Sequence, residues 1–112
     1  MKIAIPTANG ALNLHFGHCQ SFSIFDVDQK TKQILKKEEI PAPKHEPGVL
    51  PRFLGELGVN VIIAGGMGMS AQNLFSAQGI DVVIGAPSKP LTELVMDYVS
   101  GTLVSGDNVC DH

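Results

Sequence analysis

Cysteine is scarce in this chain, with two residues in 112, Cys19 and Cys110. Two thiols cannot build the disulfide framework that small secreted domains rely on. Reduced thiols and a cytoplasmic location are therefore expected, although a single Cys19–Cys110 disulfide is compatible with the sequence. Positive charge is also short. Lys and Arg number 8 against 11 Asp and Glu, a net charge of −3. A general nucleic-acid binder needs a basic stripe that displaces phosphate counterions, and none is present. No apolar run approaches the roughly 20 residues that cross a bilayer. The apolar start, Met1–Pro6, is too short for a signal peptide. Internal repeats, low-complexity tracts and domain boundaries are absent too. A single domain over 1–112 is expected, with 102–112 as a C-terminal tail and enough chain for one core.

Hydrophobic residues make up 44% of the chain and are ordered by period. Lys2–Thr7 reads as a short buried strand. A long loop follows, with Asn9-Gly10 as a turn signal. Ser21–Asp28 alternates between two faces and is a strand. After a polar turn, Gln33–Ile40 pairs with it as a hairpin, its charges suited to a sheet edge. The proline-rich stretch Pro41–Pro47 is stiff. Val49, Leu50, Phe53, Leu54 and Leu57 then share one helix face, with Gly58 at its end. Asn60–Ala64 is a buried strand, and Gly65-Gly66-Met67-Gly68 turns into a helix over Met69–Gln78. Asp81–Ile84 is the last strand. A last helix carries Leu91, Leu94, Val95, Tyr98 and Val99, with Ser88 as its expected cap and Gly101 as its stop.

This order, β-β-β-α-β-α-β-α, implies an α/β fold with a mixed five-stranded sheet flanked by helices. Ligands of such sheets bind beyond the carboxyl ends of the parallel strands. The loop after the first strand and the glycine turn would open on that same rim.

All thiol and imidazole side chains fall in three places. His15, His18 and Cys19 lie within five residues around Gly17, which permits a bend. His45 lies in the proline-rich stretch. Cys110 and His112 flank Asp111 at the C-terminus. Thiolate and imidazole are ligands for soft and borderline metals. Each place also has a plain reading. His15 can cap a turn, Cys19 can be a small apolar residue, His45 can be a surface histidine and the C-terminus a frayed tail. Alternatively the tail can fold over a ligand and add donors from a second side.

Gly65, Gly66, Met67 and Gly68 enter a helix N-terminus, where unpaired N–H groups and the helix dipole favour an anion. Close strand–helix packing is the alternative reading. The pattern is neither a Walker A loop nor a dinucleotide fingerprint, since no lysine and no ribose-binding acid follow. Asp26 and Asp28 can pair on a metal, or simply shape a strand-end turn. No serine or cysteine nucleophile has a credible base and orienting acid, so no enzyme is expected.

Four segments together resemble the dinitrogenase iron–molybdenum cofactor biosynthesis family. They are Lys2–Pro6, His15-Phe16-Gly17 with the following strand at Phe22–Asp28, Leu57–Gly68, and Gln78–Val83. The ending Cys110-Asp111-His112 is similar to that of some small members. The family includes nitrogenase accessory proteins and stand-alone proteins of anaerobic bacteria and archaea. The resemblance implies a ribonuclease-H-like fold and a binder or carrier of metal–sulfur clusters, of iron–molybdenum or molybdenum–copper type. It also implies cluster-assembly proteins as partners, including P-loop ATPase scaffolds. Many members have a basic residue after His-Phe-Gly, where this chain has His18 and Cys19. Nucleases of that fold hold Mg²⁺ on acidic residues, and the first strand here has none.

On this reading His15, His18 and Cys19 hold the cluster, Cys110 and His112 close from the tail, and the glycine turn donates N–H groups to anionic sulfides. Two cysteines are too few for four-thiolate iron–sulfur ligation. Histidine ligation, bridging between two protomers or weak holding by hydrogen bonds follows, so monomer and homodimer both stay open. The alternatives are a zinc module built on Cys19, Cys110 and two histidines, and a metal-free regulatory domain whose glycine rim binds an anion.

Overall fold

The computed structural model describes residues 1–8, 11–12, 20–42 and 49–103. The chain runs β1 (Lys2–Ala8), β2 (Ala11–Leu12), β3 (Ser21–Asp28), β4 (Gln33–Pro41), α1 (Val49–Glu56), β5 (Val61–Ile63), α2 (Met69–Ala77), β6 (Asp81–Val83) and α3 (Leu91–Ser100). The main sheet has the order β4-β3-β1-β5-β6, with β2 added to β1 off that path. β1, β3 and β4 are antiparallel neighbours, while β1, β5 and β6 run parallel. The expected mixed sheet is therefore present. The sequence reading placed a loop where β2 lies, because two residues carry no period. Ala8 pairs with Ala11 and Thr7 with Leu12, so β2 lies antiparallel beside the end of β1.

Alternation along the strands supplies two cores. Ala4, Phe22, Ile24 and Ile62 face α1 and α2, where Leu50, Leu54 and Phe75 complete one cluster. Ile3, Ile5, Phe25, Val27, Val61 and Ile63 face α3 and its Leu91, Leu94 and Val95. Each Val, Leu, Ile or Phe among them contributes about 1.5–3 kcal/mol by leaving water when fully buried. Successive residues of β1 serve opposite cores, which is why it reads as a continuous apolar run rather than an alternating one.

Helix ends follow the glycines. Gly58, Gly79 and Gly101 have φ of +82°, +75° and +74°, and Gly101 caps α3 in the left-handed conformation. Pro51 falls in the first turn of α1, where its missing N–H costs no intrahelical bond. Ser88 does not cap α3, contrary to expectation. The N-cap is Pro90 with no side-chain cap bond, because Pro90, with its φ fixed near −52°, enters the helix two residues later. β4 forms one sheet edge. Lys36, Lys37, Glu38 and Glu39 are exposed on it, and a register shift between the Asp26 and Val27 pairs leaves Leu35 unpaired as a bulge.

Candidate functional site

β1, β5 and β6 are parallel, so their carboxyl ends share one edge of the sheet. The turns after β5 and β6 are laced together there. Ala64 N–H donates to Val83 O (2.8 Å), Ala86 N–H to Ala64 O (3.1 Å) and Gly85 N–H to Gly65 O (2.9 Å). Gly85 sits at φ +74°, a left-handed turn that lets the chain double back toward Gly65. Gly65, Gly66 and Met67 are buried, and Gly68 is exposed. The Met67 side chain fills the core beneath α2, and the amide of Gln72 donates to its carbonyl at 2.9 Å.

Gly68 is the N-cap of α2, with φ −65°, ψ 156° and no side-chain cap. The first-turn N–H groups of a helix lack intrahelical acceptors, so α2 presents its donors and the positive end of its dipole at this edge. Among the described residues, a Cβ placed on Gly68 would meet nothing within 4 Å, and its backbone angles suit any residue. Neither conformation nor packing requires glycine there.

The sequence-predicted ligands His15, His18, Cys19, His45, Cys110 and His112 all lie outside the described residues, as does Asn9-Gly10. What the structure gives is where their segments are anchored. Leu12 pairs with Thr7, and Gln20 N–H donates to Thr7 O at 2.8 Å. Both limbs of segment 13–19 are therefore tied to one residue at the carboxyl end of β1. The buried Thr7 hydroxyl contacts Ser21 O (3.2 Å) and Ser21 Oγ (2.8 Å), and Ser21 Oγ donates to Glu39 (3.0 Å). Ala42 N–H donates to Gln20 O at 3.0 Å, so segment 43–48 departs beside the point where 13–19 returns. Sequence reasoning missed the Thr7–Ser21–Glu39 chain. Its one signal was a polar Thr closing an apolar strand.

The C-terminal segment leaves from the other end of the sheet. Leu103 N–H donates to Asp97 O, one residue before Tyr98, and Tyr98 shares a depression with Met1, Asn60 and Asp81, which flank the starts of β1, β5 and β6. Asp28 serves a turn, accepting from the N–H groups of Lys30 and Thr31 at 2.8 and 3.3 Å. Among the described residues, no group of three or more His, Cys, Asp or Glu could hold a metal ion.

The sequence model of the family described as "Dinitrogenase iron-molybdenum cofactor" matches residues 1–101. The chain belongs to the dinitrogenase iron–molybdenum cofactor family. The match takes in His15–Cys19, His45 and the glycine turn and stops short of Cys110 and His112. An uncharacterized protein of Methanocaldococcus jannaschii, MJ0580, is 30% identical over 106 residues, covering 92% of this chain and 89% of the relative. Among solved structures, PH0822 superposes with a TM-score of 0.84 at 26% identity, covering 94% of each chain. The apo form of the orange protein from Desulfovibrio gigas superposes at 0.70 with 21% identity, covering 96% of this chain and 93% of that one. The last likeness shows the fold. Membership supports a role related to iron–molybdenum cofactor biosynthesis. Among the described residues no helix is long and apolar enough to cross a membrane.

Proposed function

We propose that this protein binds and carries a metal–sulfur cluster of the iron–molybdenum cofactor type, or a precursor of one, during cofactor assembly, and that it is not itself a catalyst. The observation that carries the reading is the family match over residues 1–101. The rim geometry supports it. The limbs of the segment holding His15, His18 and Cys19 are anchored at the carboxyl end of β1, and the parallel strand β5 ends in the glycine turn at that same edge. A cluster is an anion with sulfide acceptors. N–H donors at the start of α2 and thiolate and imidazole ligands are complementary to its two kinds of atom.

In this reading His15, His18 and Cys19 supply the first ligands. His45 stands as an additional donor, because its segment leaves from Ala42, which is bonded to Gln20. Cys110 and His112 join from the tail. Gly65, Gly66, Met67 and Gly68 receive the cluster's anionic face through backbone groups, with Gly68 leaving room for close approach. Sparse ligation suits a cargo that must be released. Its exchange partners would be cluster-assembly proteins, a P-loop ATPase scaffold among them, in the cytoplasm of an anaerobe.

The test is anaerobic purification or reconstitution with iron, molybdate and sulfide, followed by metal and sulfide analysis and an absorption spectrum. Sulfide-to-metal charge-transfer bands that disappear in Cys19→Ala are expected. Stoichiometric colourless zinc, or no metal with Cys19→Ala indistinguishable from the native chain, would overturn the reading.

A further inference from the structure

We propose that the tip of the β3–β4 hairpin, residues 29–37, is a docking surface for an acidic protein partner that presents an apolar recess among its carboxylates. The proposal goes beyond the cluster reading and does not depend on it.

Charge is segregated along this chain. Lys30, Lys32, Lys36 and Lys37 fall within eight residues, and no acid lies between Gln29 and Lys37. They are half of the chain's eight cations, which leaves four cations against eleven acids elsewhere and a net charge of −7 outside the tip. An acidic protein thus keeps one basic end. Not all of that charge is open. Lys36 pairs with Glu38 and stands opposite Asp26 in the sheet. Lys37 holds its ammonium 5.6 Å from the centre of the Phe25 ring, a contact that leaves its charge uncompensated. Lys30 and Lys32 are exposed and make no ion pair among the described residues.

Protection of a sheet edge explains part of this pattern. The charges of Lys36, Lys37, Glu38 and Glu39 keep β4 from pairing with a further strand. They do not explain the lysines of the turn, or Leu35. Leu35 is the extra residue of the bulge and is 64% exposed. Among the described residues only Met69 is a more exposed large hydrophobic. A single exposed leucine is ordinary. One set at a bulge amid lysines has the form of an apolar contact point with a charged rim.

Lys32 is the third mark. Its φ is +57°, the one positive value at a non-glycine residue among the described residues. A Cβ in that region crowds the following carbonyl, a cost that glycine avoids. The turn is fixed there by backbone bonds. Lys32 N–H donates to Asp28 O (2.7 Å), and Asp28 Oδ1 accepts from the N–H groups of Lys30 and Thr31. Glycine would serve this turn with less strain, so the turn alone gives no reason for a lysine. Strain held in place by its surroundings points to a use for the side chain.

The occupant follows from these groups. Ammonium heads around one leucine are complementary to carboxylates around an apolar recess. A nucleic acid is a poorer match, because it needs a basic groove with stacking aromatics, and the acidic remainder repels a long polyanion. An anionic membrane needs more than one apolar side chain to hold a chain of net charge −3. Lys2 pairs with Asp26 and Thr7 with Ser21, so the tip lies beyond the start of β1 and the glycine-turn rim beyond its end. A partner held at the tip leaves the rim open.

NMR titration of the isotope-labelled full chain at low ionic strength tests this, with a glutamate-rich peptide carrying one central leucine as the probe. Amide shifts confined to residues 29–37 and their neighbours on β3 are expected, with affinity falling about tenfold as salt rises past physiological strength. The same peptide with serine for leucine should bind the native chain more weakly, and Leu35→Ser should abolish that difference. Lys30→Glu combined with Lys32→Glu should weaken binding about tenfold, whereas Lys89→Glu, an equal charge change beside α3, should stay within about twofold of native. Lys32→Gly should melt no lower than the native chain yet bind more weakly, a split that a purely structural lysine would not give. Absence of shifts at the tip, or unchanged affinity in the Lys30→Glu and Lys32→Glu double variant, overturns the proposal. Tighter binding of an oligonucleotide of equal charge, or of phosphatidylglycerol vesicles, than of the peptide also overturns it.

Discussion

Gly68 and Gly85 stand a few residues from the same rim and are glycine for different reasons. Gly85 holds φ +74°, where a Cβ costs about 1–2 kcal/mol. Gly68 holds ordinary extended angles with open space beside it, so Gly68→Ala should change stability by less than about 1 kcal/mol. If a ligand approaches the Gly68 backbone, that methyl group will hinder it. Urea denaturation should show Gly85→Ala clearly destabilised and Gly68→Ala close to native. Cluster uptake, read from the charge-transfer absorbance, should fall in Gly68→Ala despite its normal fold. The sequence could mark the turn as glycine-rich, but it could not distinguish a glycine held by its φ from one left bare. Nor could it show Thr7 bonded to both limbs of segment 13–19, since those contacts join residues brought together only by β1–β2 and β1–β3 pairing.

At the scale of elements, strands and helices with a sustained period were legible, and their ends were set by Gly58, Gly79 and Gly101 through backbone angles that glycine tolerates. β2 was not legible, because its two residues are held by pairing alone, and the start of α3 was misplaced because Pro90 rather than Ser88 sets it. The far end of α3 gives a prediction. The Tyr98 phenol is pushed above its ordinary value, first by burial and then by the negative charge of Asp81. The folded state therefore favours the neutral phenol. That contribution is intact below the ordinary tyrosine range near pH 10 and is lost as pH rises through the higher folded value. Melting temperature should fall between pH 9 and pH 11 more steeply for the native chain than for Tyr98→Phe. Asp81→Asn should fall between them. Identical slopes for all three would remove Tyr98 from the account.

At the scale of the whole molecule, the tail must cross the sheet to reach the rim. It leaves after Leu103, near the starts of β1, β5 and β6, whereas segment 13–19 is tied to the carboxyl end of β1. The seven-residue β1 spans roughly 23 Å. Residues 104–110 reach at most roughly 23–25 Å when fully extended. Cys110 can therefore serve the rim only if the tail runs nearly straight, with almost no length to spare. Deleting residues 105–107 removes about 10 Å of reach while keeping Cys110 and His112 in the chain. If the tail supplies ligands, this deletion should match Cys110→Ala in its loss of bound metal and its shifted charge-transfer bands, whereas inserting three flexible residues at the same place in the native chain should cause neither loss nor shift. If the deletion and Cys110→Ala both leave metal content and spectrum as in the native chain, the cluster is held without the tail. His15, His18 and Cys19 then form the ligand set, with His45 as the remaining candidate for an additional donor, and His45→Ala should lower metal content and shift the charge-transfer bands while Cys19→Ala empties the site.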